Sequence, residues 1–133
     1  MSKNKKAISC VVVVMIMLIL AGCYKADTLY PSKDSQVNKE VSFVKDIIPI
    51  FNQKCAISGC HGSGSHTPDL TASKAYNSLM NGGFINVSDP KNSKLYLRLT
   101  GKLTPVMPLA GPNNPSNINA LVLTWITQKA KNN

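Results

Sequence analysis

The sequence has little of what most active sites draw on. Among 133 residues there are six acidic side chains, two histidines and one tryptophan. No carboxylates are paired, no serine is matched with a histidine, and no glycine-rich loop is placed to cradle a phosphate, so the chain reads as a non-enzyme. Runs of alternating polar and apolar residues are missing, which argues against strands, and no internal repeat is present. Basic residues outnumber acidic ones, fifteen to six, but they are scattered and not interleaved with aromatics, which excludes a nucleic-acid groove. The one long apolar run, Ala7 to Leu20, is shorter than the ~20 residues that span a bilayer.

That run follows Lys3, Lys5 and Lys6 and leads into "LAGC", Leu20 to Cys23. A basic start, an apolar middle and small residues at the end make an export signal. The last four residues resemble a bacterial lipobox, which implies a signal peptide over 1–22 and a diacylglycerol on Cys23 as the new N-terminus; a plain signal peptide or an uncleaved anchor is the alternative. A lipid-modified protein is anchored to the membrane without crossing it. The expected location is a bacterial cell-envelope membrane, facing the periplasm or the cell exterior. Residues 23–40 are polar and aperiodic and read as a flexible tether, reaching about 20 to 25 Å as a coil.

With Cys10 removed and Cys23 modified, Cys55 and Cys60 remain for the domain over 41–133. In an oxidising compartment such a pair is expected to be covalently committed. Loss of Lys3, Lys5 and Lys6 leaves twelve basic and six acidic residues, a net charge of +6. Spread in this way the charge reads as solvated surface, and it also suits an acidic partner protein or anionic lipid headgroups.

The domain reads as all-α, with three or four helices. The first is expected from Asp46, which places Pro49 in the first turn, where its missing N–H is harmless, or else as a kinked helix from Ser42 with Pro49 inside it. A second, "TASKAYNSLMNGG", has Thr71 or Ser73 as cap and Asn81 and Gly82 as stop. A third, "DPKNSKLYLRLTG", closes at Gly101. In the last, Ile118, Leu121, Val122, Trp125 and Ile126 form the stripe of an amphipathic helix, so one face must be buried. A domain of this size, with few aromatics beyond Phe43, Phe51, Phe84, Tyr76, Tyr96 and Trp125, often leans on a disulfide, a metal or a cofactor to complete its core.

The stretch "KCAISGCHGSGSH", Lys54 to His66, gathers both cysteines and both histidines of the domain. Zinc would find four ligands there, but all from one short segment, with Cys60 and His61 adjacent, whereas zinc folds draw ligand pairs from separate elements. A Cys55–Cys60 disulfide would close a short loop of little entropic benefit and leaves His61 unexplained. Covalent haem attachment explains all three residues: two cysteines for thioethers and the next histidine for the iron. The spacing, C-x4-C-H, is two residues longer than the usual C-x-x-C-H, and Ser58 and Gly59 are suited to looping out.

The order of motifs resembles class I c-type cytochromes, and in particular the planctomycete-type cytochrome c domains found on exported lipoproteins. It runs "DIIPIFNQKCAISGCHG" from Asp46, "PDL" at Pro68 to Leu70, "DPKNSKLYLRL" from Asp89, "MP" at Met107 and Pro108, and "WI" at Trp125 and Ile126, covering about residues 41 to 131. The resemblance implies a small helical fold around one covalent haem c, with Cys55 and Cys60 as anchors and His61 and Met107 as axial ligands. It further implies that the first and last helices pack together, with Phe51 and Trp125 at the contact. Met107 lies in "LTPVMPLAGP", whose prolines could hold a loop without a helix. Met80 reads as packing, and His66, five residues from His61, as an exposed loop residue.

The expected function is one-electron transfer by a membrane-anchored monohaem carrier, with redox proteins as partners. Two rivals stay open. Without Met107 on the iron, the domain would be a five-coordinate haem sensor or peroxide-reactive site; without haem, it would be a disulfide-stapled binding module.

Overall fold

Each regular element in the computed structural model is a helix, and there is no strand among the described residues, which are 37–109, 111 and 114–133. The all-α class therefore holds. The expected signal peptide, the lipidation site Cys23 and the tether as far as residue 36 lie outside the described residues, as does Pro112.

The chain enters its first helix earlier than Asp46. Ser42 is in extended backbone, and its Oγ accepts the Lys45 N–H at 3.1 Å. Asp46 Oδ2 reaches back to the Ser42 N–H at 2.8 Å. This is a capping box with its acid one residue later than in the usual S-x-x-E. The extra residue belongs to a π-helical turn, Phe43–Ile47, in which the Ile48 N–H bonds the Phe43 carbonyl. The widened turn leads into α1, Ile48–Lys54, with Pro49 in its first turn. Asp46 is thus the box acid rather than the cap, and the π turn takes up the residue that a regular helix from Ser42 could not accommodate.

Helix α2, Ala75–Asn81, has Lys74 at its N-cap and no side-chain cap bond. Neither Thr71 nor Ser73 caps it; Asp69 Oδ1 accepts the Thr71 N–H and hydroxyl, at 3.0 and 2.6 Å, in a turn that precedes the helix, and the Thr71 carbonyl receives the Lys74 and Ala75 N–H groups. The helix stops at Asn81 with Gly82 as its C-cap, as expected, and the left-handed residue is the next one, Gly83. A 3-10 turn, Pro90–Asn92, precedes α3, Lys94–Leu99, which closes before the positive-φ Gly101 as expected. Ser93 is buried and satisfied by Asn86, whose N–H its Oγ accepts at 2.9 Å.

Helix α4, Ser116–Thr127, buries the five residues of its apolar stripe: Ile118, Leu121, Val122, Trp125 and Ile126. Trp125 and Phe43 are 0% and 1% exposed, with ring centroids 4.9 Å apart. Phe43 also stands edge-on to Phe51 and Tyr76, at 6.3 and 5.4 Å. The first and last helical segments therefore do pack together. The ring beside Trp125 is that of Phe43, to which Phe51 stands edge-on. Burial of each such side chain stabilises by about 1.5 to 3 kcal/mol.

At the end of α4 the Ala130 N–H bonds the Trp125 carbonyl and the Lys129 N–H bonds that of Ile126, both at 3.0 Å. This is the bond pair of a Schellman stop, but its left-handed position holds Lys129 at φ 74°, not glycine. The turn sends residues 131–133 back over the N-terminal turn. Lys131 O accepts the Trp125 indole N–H at 2.9 Å, and Asn133 accepts the Phe43 N–H on Oδ1 and the Val44 N–H on its carbonyl, at 3.0 and 2.9 Å. Gln128 accepts the Val41 N–H and donates to the Lys39 carbonyl. Orphan donors at the start of the first helix are thus satisfied by the far end of the chain.

Candidate functional site

Helix α1 ends in the cysteine and histidine stretch. The Cys55 and Ala56 N–H groups both bond the Phe51 carbonyl, at 2.8 and 2.7 Å, which stops the helix. The chain then makes a tight turn in which Cys60 N–H meets Ile57 O at 3.0 Å, with Gly59 at φ 78°. The His61 N–H returns to the Cys55 carbonyl at 3.0 Å. The four residues between the cysteines are therefore a closed excursion, and Cys55 and His61 are joined at its base. Gly62 is buried under it; a Cβ there would lie 3.2 Å from the Ile57 carbonyl oxygen and 3.4 Å from that of Ala56.

The half-buried His61 ring is held through one nitrogen. Its Nδ1 lies 2.9 Å from the Pro68 carbonyl oxygen and 3.3 Å from that of His66. Carbonyl oxygens only accept, so Nδ1 carries the proton, and in the neutral ring Nε2 keeps its lone pair. The segment supplying that carbonyl is itself fixed: Leu70 N–H bonds His61 O at 2.8 Å, and Asp69 N–H bonds Ser78 Oγ of α2 at 2.9 Å. The hydrogen bonds from Thr71 hold the Asp69 carboxyl below its ordinary range, against a smaller opposing effect of burial. His66 is exposed, and its contribution to this network is main-chain.

Cys55 is half-buried and Cys60 exposed, and the two are unbridged. Burial pushes the Cys55 thiol up to about 11, against the pull of Lys54. It is a protonated, apolar thiol at neutral pH. Among the described residues no three His, Cys, Asp or Glu side chains converge into a metal cluster, so the four zinc donors considered from sequence are not assembled. The stretch instead offers two thiols and one imidazole lone pair.

Comparison with protein-family models, with curated proteins and with solved structures found no match to this chain.

Met107 lies on a different segment and is half-buried. Its N–H donates to the Arg98 carbonyl of α3 at 3.1 Å. Among the described residues, the hydrogen bonds of the stretch around it run to α3 and not to the cysteine and histidine loop. Met80, at the end of α2, packs against the core.

Two participants have no obvious sequence signal. The Pro68 carbonyl is a main-chain acceptor, marked only by its place in "PDL". The other is Arg98: its Nη1 donates to Pro105 O at 3.1 Å, and its Nε is buried without a partner. A buried guanidinium N–H lacking an acceptor carries a desolvation cost that an anionic group would relieve.

Proposed function

We propose that this chain is a monohaem c-type cytochrome, a one-electron carrier anchored in the bacterial cell envelope through lipid on Cys23, whose partners are redox proteins with acidic surfaces. Cys55 and Cys60 would hold the haem c covalently, and His61 and Met107 would bind its iron. A haem supplies reversible exchange of one electron between ferrous and ferric iron. The observation that carries the reading is the His61 Nδ1 bond to the Pro68 carbonyl. It fixes the tautomer that leaves Nε2 as a metal ligand and raises the basicity of that nitrogen.

Other features fit the same group. Unbridged thiols flank the excursion that ends at His61. The buried, unpartnered Nε–H of Arg98 is the kind of donor that a haem carboxylate satisfies. A thioether from Met107 on the iron would favour the ferrous state and raise the potential, which suits a carrier.

The test is export of the protein together with a cytochrome c maturation system, followed by denaturation. Haem that stays with the polypeptide, and is lost when Cys55 and Cys60 are both replaced by Ala, is the expected result. A mature mass without haem and with a Cys55–Cys60 bridge overturns the proposal. A high-spin ferric spectrum unchanged by Met107→Ala would retain the haem but make the domain a five-coordinate sensor or peroxide-reactive site.

A further inference from the structure

The loop from Gly101 to Met107 is fastened at both ends and once in its middle. At its start the Lys102 and Leu103 N–H groups bond the Leu97 carbonyl, at 2.8 and 3.2 Å; at its end the Met107 N–H bonds the Arg98 carbonyl. Between them Thr104 and Val106 make no main-chain bond among those of the described residues, and Pro105 has no N–H to offer. The middle is held by Arg98 Nη1 on the Pro105 carbonyl. What arginine adds is a charged N–H donor long enough to reach that carbonyl.

We infer that Arg98 is the positioning residue of Met107: its guanidinium keeps the 102–107 loop closed, so that the methionine sulfur stays available as the sixth ligand. The inference rests on the haem reading. It assigns to α3 the control of how often that ligand leaves, a property separate from whether haem is attached.

The experiment uses the holoprotein with covalent haem, as wild type, Arg98→Leu and Arg98→Lys. The ferric forms are titrated with imidazole, which must displace Met107 and therefore binds in proportion to the open-loop fraction. Loss of a charge-assisted bond is expected to tighten apparent imidazole binding by about tenfold in Arg98→Leu. The charge-transfer band of methionine sulfur on ferric iron weakens with it, and the reduction potential falls. Arg98→Lys, which keeps a donor, recovers at least half of the change. If the leucine variant does not accumulate, Arg98→Gln, uncharged and comparable in length, carries the same expectation.

Variants that retain haem, with imidazole affinity and sulfur band indistinguishable from wild type, overturn the inference and leave the cytochrome reading standing. So does an equal change in the leucine and lysine variants, which would make the effect one of packing. A wild type without covalent haem overturns both.

Discussion

His61 Nδ1 donates to the carbonyl oxygen of Pro68 over 2.9 Å, and two residues later the same strip of chain takes the His61 carbonyl through the Leu70 N–H. Ring and main chain of one residue are fixed by a three-residue segment that is tied in turn to α2 through Ser78. The local sequence therefore sets which ring nitrogen is left for chemistry.

In the haem-free protein at a pH where the ring is neutral, His61 is expected to be protonated at Nδ1 and bare at Nε2. Nitrogen NMR of the imidazole reads this directly. A majority Nε2–H tautomer would remove the main support for the ligand role.

The two thiols are expected to react differently. In the reduced, haem-free protein, the exposed Cys60 is expected to alkylate readily at neutral pH. Cys55, half-buried and shifted to about 11, stays slow until the medium approaches that value, because only the thiolate attacks. A folded pKa raised above the unfolded thiol's 9.0 also fixes a sign. The stability contributed by this thiol is complete below pH 9 and is lost as pH rises toward 11. Equal alkylation rates at pH 7 would contradict the placement.

Gly62→Ala places a methyl group against two main-chain oxygens, those of Ile57 and Ala56. The excursion between the cysteines must shift to admit it, at about 1 kcal/mol or more by analogy with overpacked sites. Denaturant unfolding measures the loss. A neutral result would mean that the loop yields freely.

At the start of the first helix, burial raises the Asp46 carboxyl, but hydrogen bonds from Lys39 and from the Ser42 N–H, with the charges of Lys39 and Lys45, outweigh it and hold the pKa below 3.8. A depressed carboxyl contributes stability that is present above its unfolded pKa and lost as pH falls through the folded one. Asp46→Asn should cost about 1 kcal/mol near neutrality, as loss of a helix cap does, and flatten the acid limb of the stability profile below pH 3.8. An acid limb as steep as that of wild type would place the titrating group elsewhere.

Lys129 sits at φ 74° in the stop of α4, where glycine carries no Cβ penalty. Lys129→Gly is expected to stabilise by about 0.5 to 1 kcal/mol, seen as a raised thermal midpoint. A lowered midpoint would show that the side chain makes a contact worth more than the strain.

Periodicity carried the parts of the fold that were legible in advance. The stripe from Ile118 to Ile126 is buried as the 3.6-residue spacing requires, and Gly101 ends its helix. The π turn was hidden, because Ser42 and Asp46 stand four apart where a capping box stands three apart. Asn133 and Gln128 act through side-chain amides and a main-chain carbonyl, which leave no periodic mark. At the site, Cys55, Cys60 and His61 announced themselves by residue type, whereas the Pro68 carbonyl is a main-chain atom that any residue could supply. Met107 was singled out by motif order; its tie to Arg98 emerges only once the loop is folded against α3.

The fastening of Asn133 onto Phe43 and Val44 spans about ninety residues of chain. Until residues 131–133 are in place, the Phe43 and Val44 N–H groups lack these acceptors. Closure of so distant a pair is a late event. Until then the N-terminal turn is held by its own capping bonds, Ser42 on the Lys45 N–H and Asp46 on the Ser42 N–H.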